Sequence, residues 1–179
     1  FMPLVLGGGI RSLSDAAAMV RNGADKLLLN TTLATDPDFV RDLVSMYGSQ
    51  CIIASVDYRL ENESFVVYTH QGRQRLDQPM HCYIEHIAAL QVGELYLNSI
   101  DRDGTGQGYC TDSLAQLGAA THLPITIAGG AGNQYHLQEG LQCASVDAAA
   151  TANLFNFIGD GLPNARVHLL ANGISMARW

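Results

Sequence analysis

Two stretches of this sequence could hold an anion without using charged side chains. The first runs LVLGGGIRS over residues 4–12 and then, about 20 residues beyond its glycines, GADKLLLNTT over residues 23–32. The second runs ITIAGGAGN over residues 125–133 and then ASVDAAATAN over residues 144–153. Each joins a strand ending in adjacent glycines to a second strand ending in small or polar residues. Glycines let backbone N–H groups approach an anion closely, and the loop after the next strand offers further N–H groups from a helix start. Paired glycines also make ordinary tight turns, but their recurrence in register marks an internal repeat. The chemistry this spacing favours is capture of phosphate.

Carboxylates supply a second candidate chemistry. Asp57 closes the apolar run Cys51–Val56, and Asp103 lies in the loop that follows Glu94–Asn98. A strand-end Asp either works as an acid or base or caps loop amides, and the residues alone leave both open. The four cysteines, Cys51, Cys82, Cys110 and Cys143, form no C-x-x-C pair. His81 and His86 are five residues apart, which does not put two ligands on one helical face. We therefore expect reduced, mostly packed thiols, no metal and no cofactor.

These groups need a scaffold, and the chain alternates short apolar runs with helical segments. The expected strands are Pro3–Leu6, Lys26–Leu29, Cys51–Val56, Glu94–Asn98, Pro124–Ile127 and Asp147–Ala150. Helices are expected after Ser12 or Ser14, from Asp36-Pro37, and over about Met80–Leu90, Asp112–Ala120, Tyr135–Leu141 and Pro163–Ala171. A short extra helix is expected over Asn153–Phe157, and a β-hairpin insertion near 58–72, where Phe65-Val66-Val67-Tyr68 follows a turn at Asn62.

Six strand–helix units in strict alternation predict an α/β fold with a parallel sheet and helices outside. An open doubly wound sheet tolerates glycine loops equally well, so the repeat has to decide. In a TIM barrel a phosphate cradle belongs to the last two strands, beside a short extra helix. The second copy then forms strands seven and eight and the first forms strands three and four, making residues 1–179 a single partial barrel domain. This is an incomplete (β/α)8 TIM-barrel-like fold, with strands one and two expected to precede Phe1. A typical barrel of ~250 residues is longer by about two units. Six units also leave two sheet edges, at Pro3–Leu6 and Asp147–Ala150, and we expect a homo-oligomer formed through them.

Composition narrows the partners. Hydrophobic residues make up 47% of the chain, which suits one sizeable core. A net charge of -7 without a Lys/Arg cluster argues against nucleic acid. No apolar run reaches the ~18 residues of a membrane span, so a soluble, cytoplasmic protein is expected.

The motifs GGGIRS (7–12), GADK (23–26), GSQCIIASVD (48–57), YTHQGR (68–73), IDRDGT (100–105) and AGGAG (128–132) follow one another over nearly the whole chain. Together they resemble the cyclase subunit of imidazole glycerol phosphate synthase, of histidine biosynthesis. GGGI alone would also fit the sister isomerase, whereas GSQC…SVD and DRDGT favour the cyclase. The resemblance implies a (β/α)8 barrel acting as a lyase on a ribulosyl-type substrate with a phosphate at each end. It also implies a glutaminase partner that sends ammonia through the barrel.

Carried over motif by motif, the resemblance places one phosphate on Gly9, Asn30 and Thr31, and the other on Gly104, Gly130, Ala152 and Asn153. It makes Asp57 a catalytic aspartate with Asp103 close by. Lys26 and Glu94 match half of a charged ring that gates ammonia. Attack by ammonia and loss of water need one acid and one base. The family's other catalytic aspartate belongs to strand one and has no counterpart in these residues, so the 179-residue chain alone is expected to be inactive or nearly so.

The sequence also departs from the family. Asn98, Ala128 and Asn153 stand where the histidine-pathway enzyme usually has Thr, Ser and Ser, and Cys110 follows Gly-Tyr where Asp is usual. NSIDRDGTGQGY and ATANLFNF look closer to paralogues that work with an amidotransferase in bacterial surface-sugar biosynthesis. Two alternatives follow: a component of an ammonia-transfer system for surface sugars, and a non-catalytic, oligomeric remnant that binds phosphorylated ligands.

Overall fold

The computed structural model describes residues 2–112, 121–152 and 159–176. Its strands are β1 (Val5–Gly7), β2 (Lys26–Leu29), β3 (Ile52–Glu61), β4 (Ser64–Thr69), β5 (Gln74–Pro79), β6 (Glu94–Ser99), β7 (Ile125–Ala128) and β8 (Ala148–Ala149). The described helices are α1 (Leu13–Arg21), α2 (Thr31–Thr35), α3 (Pro37–Tyr47), α4 (Met80–Ala89), α5 (Gln134–Gln142) and α6 (Gly161–Ala171). Six strands run parallel in the order β1-β2-β3-β6-β7-β8, with β4 and β5 attached to β3 as an antiparallel arm. Alternating strands and helices with an all-parallel main sheet make an incomplete (β/α)8 barrel, as the sequence predicts. Among the described residues β1 and β8 are the two edges.

Side-chain alternation along the strands explains the core. Leu27, Leu29, Ile52, Ala54, Val56, Leu95, Leu97, Ile125 and Ile127 face outward and are buried, together with Val40 and Leu43 of α3 and Ile84 and Ile87 of α4. Full burial of each Val, Leu or Ile side chain among them contributes about 1.5–3 kcal/mol. The opposite face of the sheet is the barrel interior, where every functional candidate on a strand points.

Helix starts follow their caps. Ser12 accepts from the Asp15 N–H at 3.2 Å, and Asp36, followed by Pro37, accepts from the Phe39 N–H at 3.1 Å. Asn133 accepts from the N–H groups of Tyr135 and His136. The repeat extends to these contacts. The Leu4 N–H donates to Asp25 Oδ2 at 2.7 Å, and the Ile125 N–H donates to Asp147 Oδ2 at 2.9 Å. Each aspartate starts its strand in register with the neighbouring one.

Two local expectations are revised. The insertion is larger than residues 58–72, because β3 continues without a break through Glu61 and a third strand, β5, completes the arm. Asn62 and Glu63 both take positive φ, 47° and 64°, the geometry of a two-residue hairpin turn whose twist matches its strands. The loop after β2 holds the one-turn helix α2, which the poor helix formers Thr31, Thr32 and Thr35 concealed in the sequence. The helices expected over residues 112–120 and 153–157 lie outside the described residues, apart from Asp112. No described helix is long and apolar enough to cross a membrane.

Candidate functional site

The C-terminal end of the parallel sheet, where β2 and β6 finish and β3 runs on into the arm, places Asn30, Asp57 and Asn98 side by side. Asp57 pairs directly with Asn98 across the β3–β6 ladder, and Asn98 pairs in turn with Ala128 of β7. The Asn98 side-chain amide donates to Asp57 Oδ1 at 3.1 Å, and the Asn30 amide donates to Oδ2 at 3.3 Å and to the Ser55 carbonyl at 3.1 Å. Both carboxylate oxygens are therefore held from opposite sides. Burial pushes the Asp57 carboxyl above its ordinary pKa, the Asn98 hydrogen bond opposes that rise, and the negative charge of Asp103 adds to it. Asp103 sits exposed in the loop after β6, close enough to couple to Asp57. Tyr96, one layer below, is raised by burial first and then by the same two carboxylates. A held carboxyl with raised pKa beside a second carboxylate suits proton transfer.

A cleft of about 1070 Å³ opens at this end of the sheet. Gly8, Gly9, Asn30, Thr31, Ser55 and Asp57 line it, so the first predicted cradle and Asp57 share one space. Gly8 and Gly9 take φ of 93° and 74°, and a Cβ on either would meet nothing within 4 Å, so their backbone is open to a ligand. Arg11, His70, Gln71 and Arg73 line the same cleft. The reading of the sequence assigned no role to these four. The available signal was the arm itself: an insertion directly after the strand carrying Asp57 has to reach over the strand ends.

The second cradle is only partly described. Gly104 has φ of 74° and open space, and Ala152 is exposed, while Asn153 lies outside the described residues. Gly130 is buried, and a Cβ there would come 2.1 Å from the Gly108 carbonyl oxygen. The Gly108 N–H donates to the Gly130 carbonyl at 2.8 Å, and Gly132 similarly abuts Gly106. Glycines in this loop thus serve backbone-on-backbone packing against the loop after β6. Tyr109 ties the two halves together by donating its hydroxyl to the Ala150 carbonyl at 2.8 Å.

At the other end of the sheet Lys26 and Glu94 begin β2 and β6, and their side chains form an ion pair across β3. The four cysteines are free; Cys110 is buried and Cys82 exposed. Among the described residues no group of three or more His, Cys, Asp or Glu side chains could hold a metal ion.

Comparison with known proteins places this geometry in context. Residues 1–159 match the family described as histidine biosynthesis protein. The imidazole glycerol phosphate synthase subunit HisF of Pelodictyon phaeoclathratiforme is 35% identical over 176 residues, 98% of this chain and 70% of the relative. That of Chlorobium limicola is 35% identical over 97% of this chain and 69% of its own length. The provisionally named imidazole glycerol phosphate synthase subunit hisF2 of Parasynechococcus marenigrum is 39% identical over 100% of this chain and 67% of its own length.

Proposed function

The chain belongs to the family of imidazole glycerol phosphate synthase cyclase subunits, and from that premise we propose that its cleft binds a bis-phosphorylated ribulosyl substrate for ammonia-dependent ring closure. The observation that carries this reading is Asp57. It stands near the end of the parallel β3–β6 ladder, held by two amides, with its pKa raised by burial and by Asp103, in the same cleft as Gly9, Asn30 and Thr31.

In this reading Gly9, Asn30 and Thr31 hold one phosphate, and Gly104, Gly130, Ala152 and Asn153 hold the other. Asp57 relays protons at the reacting carbons, with Asp103 as its neighbour. Lys26 and Glu94 gate ammonia delivered by a glutaminase subunit, and the reaction takes place in the cytoplasm. The test is cyclase turnover with ammonium salt in place of the glutaminase; Asp57→Asn should abolish whatever turnover the assembled protein shows.

The 179-residue polypeptide assayed alone should be slow. The resemblance puts the second acid–base carboxylate on strand one, and none of these residues matches it. Losing one member of such a pair typically costs ~10²–10⁴-fold in rate. The same polypeptide should self-associate through β1 and β8, where unpaired backbone and the exposed side chains of Met2, Leu4 and Val5 invite strand pairing.

Two features favour a second reading, the surface-sugar ammonia-transfer component. Asn98 directly contacts Asp57, and Ala128 is its ladder partner, and both are departures from the histidine-pathway enzyme. Absence of turnover on the histidine-pathway substrate by the assembled protein, with phosphate binding retained, would select this reading or the non-catalytic one. Ammonia incorporation into a phosphorylated sugar then separates those two.

A further inference from the structure

We propose that the β4–β5 arm supplies the cationic wall of the first phosphate site, with Arg73 as a substrate-phosphate ligand. This deepens the cradle reading above and rests on it. The arm leaves the sheet beyond Asp57 and returns to the mouth of the cleft, where His70 and Arg73 line it together with Gly9 and Thr31.

Two contacts hold the arm in that position. Where β4 returns beside Asp57, the His70 N–H donates to Thr31 Oγ1 at 3.1 Å. Nearer the β3–β4 turn, the Leu60 N–H donates to Asp101 Oδ2 at 2.9 Å, which straps β3 to the loop after β6. In the β4–β5 turn His70, Gln71 and Gly72 take φ of 52°, 62° and 75° in succession. As at Asn62-Glu63, this left-handed backbone reverses the chain between two antiparallel strands, and the reversal brings Arg73 to the cleft.

Charge supports the assignment. Lys26, Arg41, Arg59 and Arg75 are committed to carboxylates, whereas Arg73 has no carboxylate partner among the described residues. Thr31 completes the argument. Its hydroxyl accepts from His70 while its own proton reaches only Asn30 Oδ1, at a long 3.4 Å. That proton is free to turn to a phosphate oxygen without releasing the arm. A phosphate monoester would then be gripped by loop amides on one side and a guanidinium on the other, a charge-assisted pairing.

The test is titration of the folded polypeptide with inorganic phosphate, followed by calorimetry and checked for fold by far-UV circular dichroism. Arg73→Gln should weaken phosphate about tenfold or more, and Arg73→Lys should recover most of the loss. Arg21→Gln, on the exposed last turn of α1, should bind as the parent does. Equal affinity of parent and Arg73→Gln overturns the arm assignment. If Gly9→Ala still weakens binding in that case, the cradle reading survives. If the parent itself does not bind phosphate, or Gly9→Ala binds unchanged, the cradle reading falls and the arm assignment with it.

Discussion

Asp57 and Asn98 are ladder partners on adjacent strands, and the Asn98 amide donates to Asp57 Oδ1 at 3.1 Å. This bond favours the ionised carboxylate against the burial and the Asp103 charge that disfavour it. Replacing Asn98 with Ala should therefore raise the Asp57 pKa further. Carboxyl ¹³C chemical shifts followed against pH would show the midpoint moving up; a midpoint that stays or falls would refute this balance of forces.

The same shift fixes a pH dependence of stability. Asp57 has a higher pKa folded than unfolded, so the folded state holds its proton more tightly between the two values. Unfolding free energy should accordingly fall as pH rises from the ordinary carboxylate value through the folded pKa, then level off. Urea denaturation over this window should show that decline in the parent, and Asp57→Asn should lack it. An equal slope in both proteins would assign the dependence to other groups.

Lys26 and Glu94 form an ion pair on the barrel's inner face with both side chains mostly shielded, 29% and 26% exposed. Removing one partner leaves the other charge partly desolvated. Glu94→Ala should cost about 1–3 kcal/mol, between the values for exposed and buried pairs. Lys26→Met combined with Glu94→Leu should restore most of it, as a urea double-mutant cycle would show.

Gly130→Ala tests whether the loop after β7 is limited by packing. The added methyl would lie 2.1 Å from the Gly108 oxygen at a φ of 105°, so the loops must separate. A loss of about 2–4 kcal/mol is expected from overpacking and backbone strain together. Gly104→Ala meets nothing within 4 Å and should cost only the ~1 kcal/mol of its left-handed backbone. Comparable losses at the two sites would contradict this distinction.

Self-association should respond to charge on the β1 edge. Val5 is 42% exposed there, and Val5→Lys should shift light-scattering mass toward monomer at micromolar concentration with little change in thermal midpoint. A parent that is already monomeric across that range would refute association through the edges.

Much of this protein is legible in one dimension. The strand–helix alternation and the caps at Ser12 and Asp36 depend on residues near one another in the chain, and local backbone preference and side-chain periodicity settle them before any long-range contact forms. The repeat that equates Gly8-Gly9 with Gly129-Gly130 is visible by comparing two segments of the sequence. Asp57 was likewise visible as a strand-end carboxylate, and its grouping with Asn30 follows once the strand order is known.

What only the tertiary structure decided is the company these residues keep. That Asn98 restrains Asp57, that Thr31 receives the His70 amide, and that Gly130 is needed by Gly108 are relations between segments about 20 to 40 residues apart. The extent of the arm was hidden for the same reason. Gln74–Pro79 has little strand propensity of its own, with two charged residues, two glutamines and a proline, and becomes β5 by pairing with β4. The paired glycines therefore mark a candidate anion site, while which groups line it depends on how strand order and the arm bring distant residues together.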